Sequence, residues 1–304
     1  MEFFLFMATR KTVIVIAGPT AVGKTAVAIQ VASYFQTEII SADSRQCYKE
    51  MNIGVARPST DELSQVTHHF IASHSIHEKV NAVTFENYAL KKVSEIFEKN
   101  NVIVMTGGTG LYIKAFCEGM DEIPVVPEAL RNEIVEQYRQ NGLTWLQEQV
   151  RHLDPKFFEV GETKNPQRLM RALEVFKATG KSILDFRKGE KVERNFNIIK
   201  IALQLSKGDL HRNIESRVDK MFDMGLLKEV RSLIPYQHLN ALQTVGYKEL
   251  FDYFNGETDL QHAIDLIKRN TKQYAKRQVT WFKKDNAYQW IEAGKLDPSK
   301  ISLT

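Results

Sequence analysis

The string Gly18-Pro19-Thr20-Ala21-Val22-Gly23-Lys24-Thr25 sets two glycines with four residues between them and follows them with a lysine and a hydroxyl. That spacing suits a polyphosphate or diphosphate group. Glycines let successive backbone N–H groups curl around an anion, and a helix starting at the lysine adds the positive end of its dipole. Lys24 then donates to the outer phosphate, and the Thr25 hydroxyl is placed to ligate Mg²⁺. A carboxylate is expected nearby, and Asp43 follows a short strand expected over residues 38–41. In open α/β sheets the carboxyl ends of the strands face the ligand crevice, which would bring Asp43 near the phosphates. A cap or turn former is the plainer role for the same residue.

These groups need a scaffold. Residues 13–16 form a continuous apolar run that reads as a buried parallel strand, and residues 26–35 read as the helix after the loop. Residues 38–41 make a second strand. Residues 84–99 make a helix whose Phe85, Tyr88, Ala89, Val93, Ile96 and Phe97 share a face. Residues 102–105 make a third strand, closed by Thr106-Gly107-Gly108-Thr109-Gly110. Strands alternating with helices imply an α/β fold, a P-loop NTPase-like parallel sheet covered on both faces. Beyond residue 120 no strand is apparent until 198–203, and Asn165-Pro166 has the form of a helix start. The expected organisation is a first core segment over residues 10–119, a helical insertion over 120–195, and a second core segment over 196–304 that is mainly helical and ends in basic helices.

Composition limits the function classes. The 43% hydrophobic and 26% charged content over 304 residues suits a soluble globular chain of one large domain or two modest ones. Cys47 and Cys117 offer no disulfide framework, which points to a reducing compartment. The apolar leader Met1–Met7 is too short for a signal peptide, and Met7 is an alternative start. No stretch approaches the roughly 20 apolar residues of a membrane span, so the cytoplasm is the expected location. Residues 268–284 carry Lys268, Arg269, Lys272, Lys276, Arg277, Lys283 and Lys284 and no acid. Such a run is either a solvated helix face or a surface for an anionic macromolecule, and Tyr274, Trp281 and Phe282 within it are read as stacking groups or, for the last two, mainly as core. A P-loop by itself suggests a kinase or nucleoside triphosphatase, but the third strand ends Met105-Thr106-Gly107-Gly108, without the metal-binding acid of that class. A small-molecule kinase and an RNA-binding module with an inactive phosphate site stay open at this point. His68 and His69 lack the companions of a zinc site.

Further blocks sharpen the reading. Asp43-Ser44-Arg45-Gln46-Cys47-Tyr48 with Met51-Asn52-Ile53-Gly54, Gly107-Gly108-Thr109-Gly110-Leu111-Tyr112, Asn165 to Glu174, Gly246-Tyr247-Lys248-Glu249, and Tyr274 to Phe282 stand in that order after the P-loop. Together they resemble the tRNA dimethylallyltransferase family. The resemblance implies transfer of a dimethylallyl group from dimethylallyl diphosphate to the exocyclic amine of an adenosine beside the tRNA anticodon, position 37, with Mg²⁺ and without ATP as substrate.

It also implies residue roles. Asp43 is the expected general base, Lys24 and Thr25 serve the departing diphosphate, and Arg217 joins the loop residues Gly18 to Thr25 around it. Thr20 and Thr109 orient the substrates. Ser44, Arg45 and Gln46 meet the target nucleotide. Arg131 and the segment Gln167, Arg168, Leu169, Met170 and Arg171 engage the anticodon stem-loop, with Lys276 and Arg277 on the RNA backbone. A monomer is the expected state. The chain departs from the family pattern at Val55, where a threonine is usual, at Arg57 in place of lysine, and at Asn213, where an arginine is expected.

Overall fold

Every residue of β1 (Thr12–Ala17) is buried, because the strand has a parallel neighbour on each side and an apolar layer on each face. Val13, Val15 and Ala17 point into one layer and Ile14 and Ile16 into the other, as the two-residue period of a strand requires. The structure is a computed structural model that describes residues 10–303. The leader Met1–Met7, including the alternative start, lies outside them.

The chain divides into two compact units, one ending at Cys117 and resuming at Glu193, the other Glu118–Val192. The larger unit begins with β1, α1 (Lys24–Tyr34), β2 (Ile39–Ser41), α2 (Thr60–Gln65), β3 (His68–His69), α3 (Ala82–Ile96), β4 (Val102–Gly107) and α4 (Gly110–Glu118). The smaller unit holds α5 (Glu128–Leu153), α6 (Pro155–Val160) and α7 (Pro166–Thr179). The larger unit resumes with β5 (Asn197–Gln204), α8 (Lys207–Asp223), α9 (Leu226–Ser232), α10 (Lys248–Phe254), α11 (Leu260–Phe282) and β6 (Tyr288–Glu292). Its sheet has the order β3-β2-β4-β1-β5-β6, with every pairing parallel. The expected α/β parallel core is thus present, and the second unit is helical.

Two edge strands depart from the sequence reading. β3 has only two residues, too few to show a period. In β6 only Tyr288 is buried, so the strand lacks the apolar run that marked β1 and β4; an edge strand keeps a solvated side and needs none.

In the smaller unit, α5 is broken at Gly142, whose φ of 75° is left-handed. The Asn165 side chain caps α7 by accepting from the N–H groups of Gln167 and Arg168, and Pro166 takes the first helical position. The buried face of α7, with Leu169, Ala172 and Leu173, packs with Ile134, Leu146 and Val150 of α5 in one cluster. Among the described residues no helix is long and apolar enough to cross a membrane.

Candidate active site

The carboxyl ends of β1, β2 and β4 open onto a cavity of about 920 Å³. The P-loop forms its floor. Gly18 has φ 146°, and a Cβ there would lie 2.9 Å from the Leu203 carbonyl oxygen of β5, so the turn needs glycine for conformation and for space. Gly23, φ 96°, starts α1 in the left-handed region. Between them Ala21 also has a positive φ, 64°, a costly conformation for a residue with a Cβ and one that collects at functional sites. Its carbonyl accepts a hydrogen bond from Asn213 Nδ2 at 3.2 Å. Asn213, where the sequence reading expects an arginine, therefore braces the strained residue of the loop.

Thr20, Lys24, Thr25, Asp43 and Arg217 all line this cavity. Lys24 Nζ donates to the Pro19 carbonyl at 2.8 Å. Burial lowers the Lys24 pKa to about 7, helped by the Arg217 guanidinium and opposed by Asp43. Arg217 Nη1 donates to the Thr20 hydroxyl at 3.2 Å, and burial lowers its pKa too, against Glu62 and Asp43. Two cations held partly out of water on the floor of one cavity favour an anion.

Asp43 leaves β2 on the cavity side. Its Oδ1 accepts the N–H groups of Arg45 at 2.8 Å and Gln46 at 3.2 Å. Asp43 is thus both the turn former and a cavity residue, and Oδ2 has no such partner among the described residues. Thr109 Oγ1 accepts the Ser44 N–H at 3.0 Å, which ties the turn to the loop after β4. Gly107 permits that approach, since a Cβ there would meet the Ala42 carbonyl oxygen at 2.1 Å. Ser44 and Arg45 do not line the cavity. Arg45 Nη1 reaches away to the carbonyls of Asn240 and Ala241, so its guanidinium serves the protein's own backbone. Gln46 lines the cavity and donates to the carbonyls of Val55 and Ala56.

A further wall is the segment 52–58, and the sequence reading misses what holds it. Glu229 of α9 accepts three consecutive backbone N–H groups, from Asn52, Ile53 and Gly54 at 3.2, 2.7 and 3.0 Å, and the Tyr247 hydroxyl at 2.6 Å. A Cβ at Gly54 would lie 2.6 Å from the Tyr247 ring. Arg57 bridges the carbonyls of Tyr48, Lys49 and Met51. The only signal in the sequence was the Gly246-Tyr247-Lys248-Glu249 block. Gln278 was missed in the same way: its side-chain amide, buried, links the P-loop to the loop after β4.

A sequence model described as IPP transferase matches residues 46–285. The chain belongs to the IPP transferase family. The tRNA dimethylallyltransferase of Christiangramia forsetii is 49% identical over 277 residues, 91% of this chain and 92% of that protein. The tRNA dimethylallyltransferase 1 of Bacteroides thetaiotaomicron is 43% identical, with 92% and 91% covered. Among solved structures, the full-length tRNA isopentenylpyrophosphate transferase of Bacillus halodurans matches with a TM-score of 0.69 at 33% identity, covering 96% of this chain and 93% of that one. A eukaryotic dimethylallyltransferase described as acting on tRNA matches with 0.75 at 25% identity, covering 95% and 75%. The family displaces the kinase and the inactive-module readings.

In this IPP transferase the expected RNA contacts divide. Gln167 and Arg168 are exposed, whereas Leu169 and Met170 are buried at 0% and 6%. Those two side chains are core of the helical unit, a correction that follows from their place on the apolar face of α7. Arg131 and Arg171 both pair with the buried Glu174, at 3.0 and 3.3 Å, which holds their guanidinium groups in place at the surface. The basic run of α11 also divides. Lys268 and Lys272 pair with Asp219 and Glu215 of α8 at 2.5 Å each, while Lys276, Arg277, Lys283 and Lys284 stay exposed.

Proposed function

We propose that this chain is a tRNA dimethylallyltransferase that moves the dimethylallyl group of dimethylallyl diphosphate to the N6 amine of adenosine 37, beside the anticodon, and releases diphosphate. The observation that carries the reading is one cavity lined both by the P-loop, with Lys24 and Arg217, and by Asp43. Negative charge grows on the diphosphate as the allylic C–O bond breaks. Lys24, Arg217 and the loop N–H groups are placed to meet that charge as it forms. The adenine amine is a weak nucleophile, because its lone pair is delocalised into the ring. Asp43 takes its proton as the C–N bond forms. The adenosine must leave its stack to enter a cavity of this kind.

The residues present fit Mg²⁺. That ion keeps several waters and needs few protein ligands beside substrate phosphates, and Thr25 lines the cavity. Thr25, diphosphate and water would supply the ligands. Bound there, the ion would neutralise charge on the leaving diphosphate. Gln167, Arg168, Arg131 and Arg171 would engage the anticodon stem-loop, with Lys276 and Arg277 on the backbone. The cytoplasm is the proposed location.

The test is nucleoside analysis of tRNA treated with the protein, Mg²⁺ and dimethylallyl diphosphate, with AMP as a parallel acceptor. N6-dimethylallyladenosine in the tRNA and unmodified AMP are expected. Unmodified tRNA would overturn the reading, and prenylated AMP would move the acceptor to a free nucleotide.

A further inference from the structure

Trp281 sits where the sequence reading put core, yet it is 39% exposed, while its neighbour Phe282 is 1% exposed. On α11, Tyr274 and Gln278 are one turn apart and line the catalytic cavity. Trp281 is one further turn along from Gln278 and so continues that face beyond the cavity rim. It lies directly on the first turn of α4: a Cβ on Gly110 would meet the indole at 2.1 Å. Gly110 follows Thr109, whose hydroxyl is bonded to Ser44 in the turn that carries Asp43. The indole is therefore seated on the same short segment that positions the candidate base.

The surroundings are basic. Arg277 precedes Trp281 by one helical turn, and Lys284 follows it at the helix end. Lys114 lies one turn from Gly110 on the same face of α4, and all three are exposed. Leu111, beside Gly110, is 43% exposed. A partly exposed indole on a basic stretch of helix, one turn beyond residues that line a phosphate-binding cavity, matches the chemistry of a nucleobase attached to a polyanionic backbone. An acidic peptide would satisfy the cations but would leave the indole face without a flat partner.

We propose that Trp281 is a stacking platform for one unpaired base of the RNA substrate, a loop nucleotide next to the target adenosine. The proposal rests on the tRNA reading above and adds to it a residue that sets RNA affinity. While the adenosine is out of its stack, its neighbour would otherwise lose a stacking face, and the indole replaces it.

Steady-state kinetics on an anticodon stem-loop, combined with single abasic substitutions around the loop, tests this. Trp281→Ala should raise KM for the RNA about five- to a hundredfold, the range for losing one base–aromatic stack. Trp281→Phe should stay within a few-fold of wild type, and affinity for inorganic diphosphate should hold in both. One abasic position should weaken binding to the wild-type enzyme by a similar factor and should add nothing further in Trp281→Ala. Additive losses at every position, or wild-type RNA KM in Trp281→Ala, would overturn the platform. If Trp281→Ala does not fold, the abasic series on wild type and Trp281→Phe still decides: equal effects at all loop positions count against it. Failure of the wild-type enzyme to prenylate any stem-loop would instead remove the functional reading beneath it.

Discussion

The Gln278 side-chain carbonyl accepts the backbone N–H of Thr20 at 2.8 Å, across 258 positions of sequence. The same amide donates through Nε2 to the Gly108 carbonyl at 2.9 Å. One buried side chain thus fixes the spacing between the loop that holds diphosphate and the loop that supports Asp43. Gly108 is required for this approach, because a Cβ there would meet Gln278 Nε2 at 2.2 Å. Gln278→Ala would leave a donor and an acceptor unpaired, a loss of about 1–3 kcal/mol for each. Both a lower Tm and weaker diphosphate binding by calorimetry are expected. Gln278→Glu keeps the acceptor for Thr20 but sets a carboxylate against the Gly108 carbonyl, so it should not rescue binding. Full rescue by glutamate would show that the Gly108 bond is dispensable.

Asp43 combines a backbone role with a chemical one, and the two separate by substitution. Asp43→Asn keeps Oδ1 for the N–H groups of Arg45 and Gln46, so the turn should survive. It removes the proton acceptor, and single-turnover transfer should slow about 10²- to 10⁴-fold, the usual range for losing a general base. Diphosphate affinity should stay near wild type. Normal transfer by this variant would remove Asp43 from the chemistry.

The parts of the fold that were legible in sequence are those where one residue's chemistry acts locally. Buried strands β1 and β4 announce themselves as apolar runs, and the Asn165-Pro166 start of α7 is a cap with its own short-range hydrogen bonds. The P-loop is legible because its glycines answer to backbone sterics within the loop. Gln278 and Glu229 were not legible as site residues, because their partners lie far away in sequence and a glutamine or glutamate on a helix gives no sign of what it will meet. Leu169 and Met170 show the converse error: a motif block was read as one contact surface, although a helix turns successive residues onto different faces. The sequence reading turns Trp281 inward because tryptophan is usually well buried, and nothing local shows that its indole comes to rest on Gly110, half-exposed.

Glu229 holds the 52–58 wall through three backbone N–H groups and a phenol hydroxyl. Glu229→Ala should lower stability by about 3 kcal/mol or more, since bonds to a charged acceptor are worth roughly 1.5–3 kcal/mol each and are not fully additive. Because Ile53, Val55 and Arg57 of that wall line the cavity, KM for dimethylallyl diphosphate should rise as well. Tyr247→Phe removes one of the four bonds and should produce a smaller change in the same direction. A Tm and donor KM unchanged in Glu229→Ala would show that Gln46 and Arg57 hold the wall without it.

The lowered pKa of Lys24 gives diphosphate binding a defined pH dependence. Burial and Arg217 bring it to about 7 in the free protein. Below that pH the ammonium is charged and ready for the anion. Above it the amine is largely neutral, and binding must take up a proton, because a bound diphosphate favours the charged form. Wild-type affinity should therefore fall by about tenfold for each pH unit above 7, measured relative to Lys24→Arg, whose guanidinium stays charged throughout. Diphosphate protonates in the same range, but identically for both proteins, so the ratio isolates Lys24. Calorimetry at pH 8 in buffers of differing ionisation enthalpy should show up to one more proton taken up by wild type than by Lys24→Arg. At pH 5.5 the difference should vanish. Equal uptake at both pH values would mean that Lys24 is charged throughout and that the cavity does not suppress its protonation.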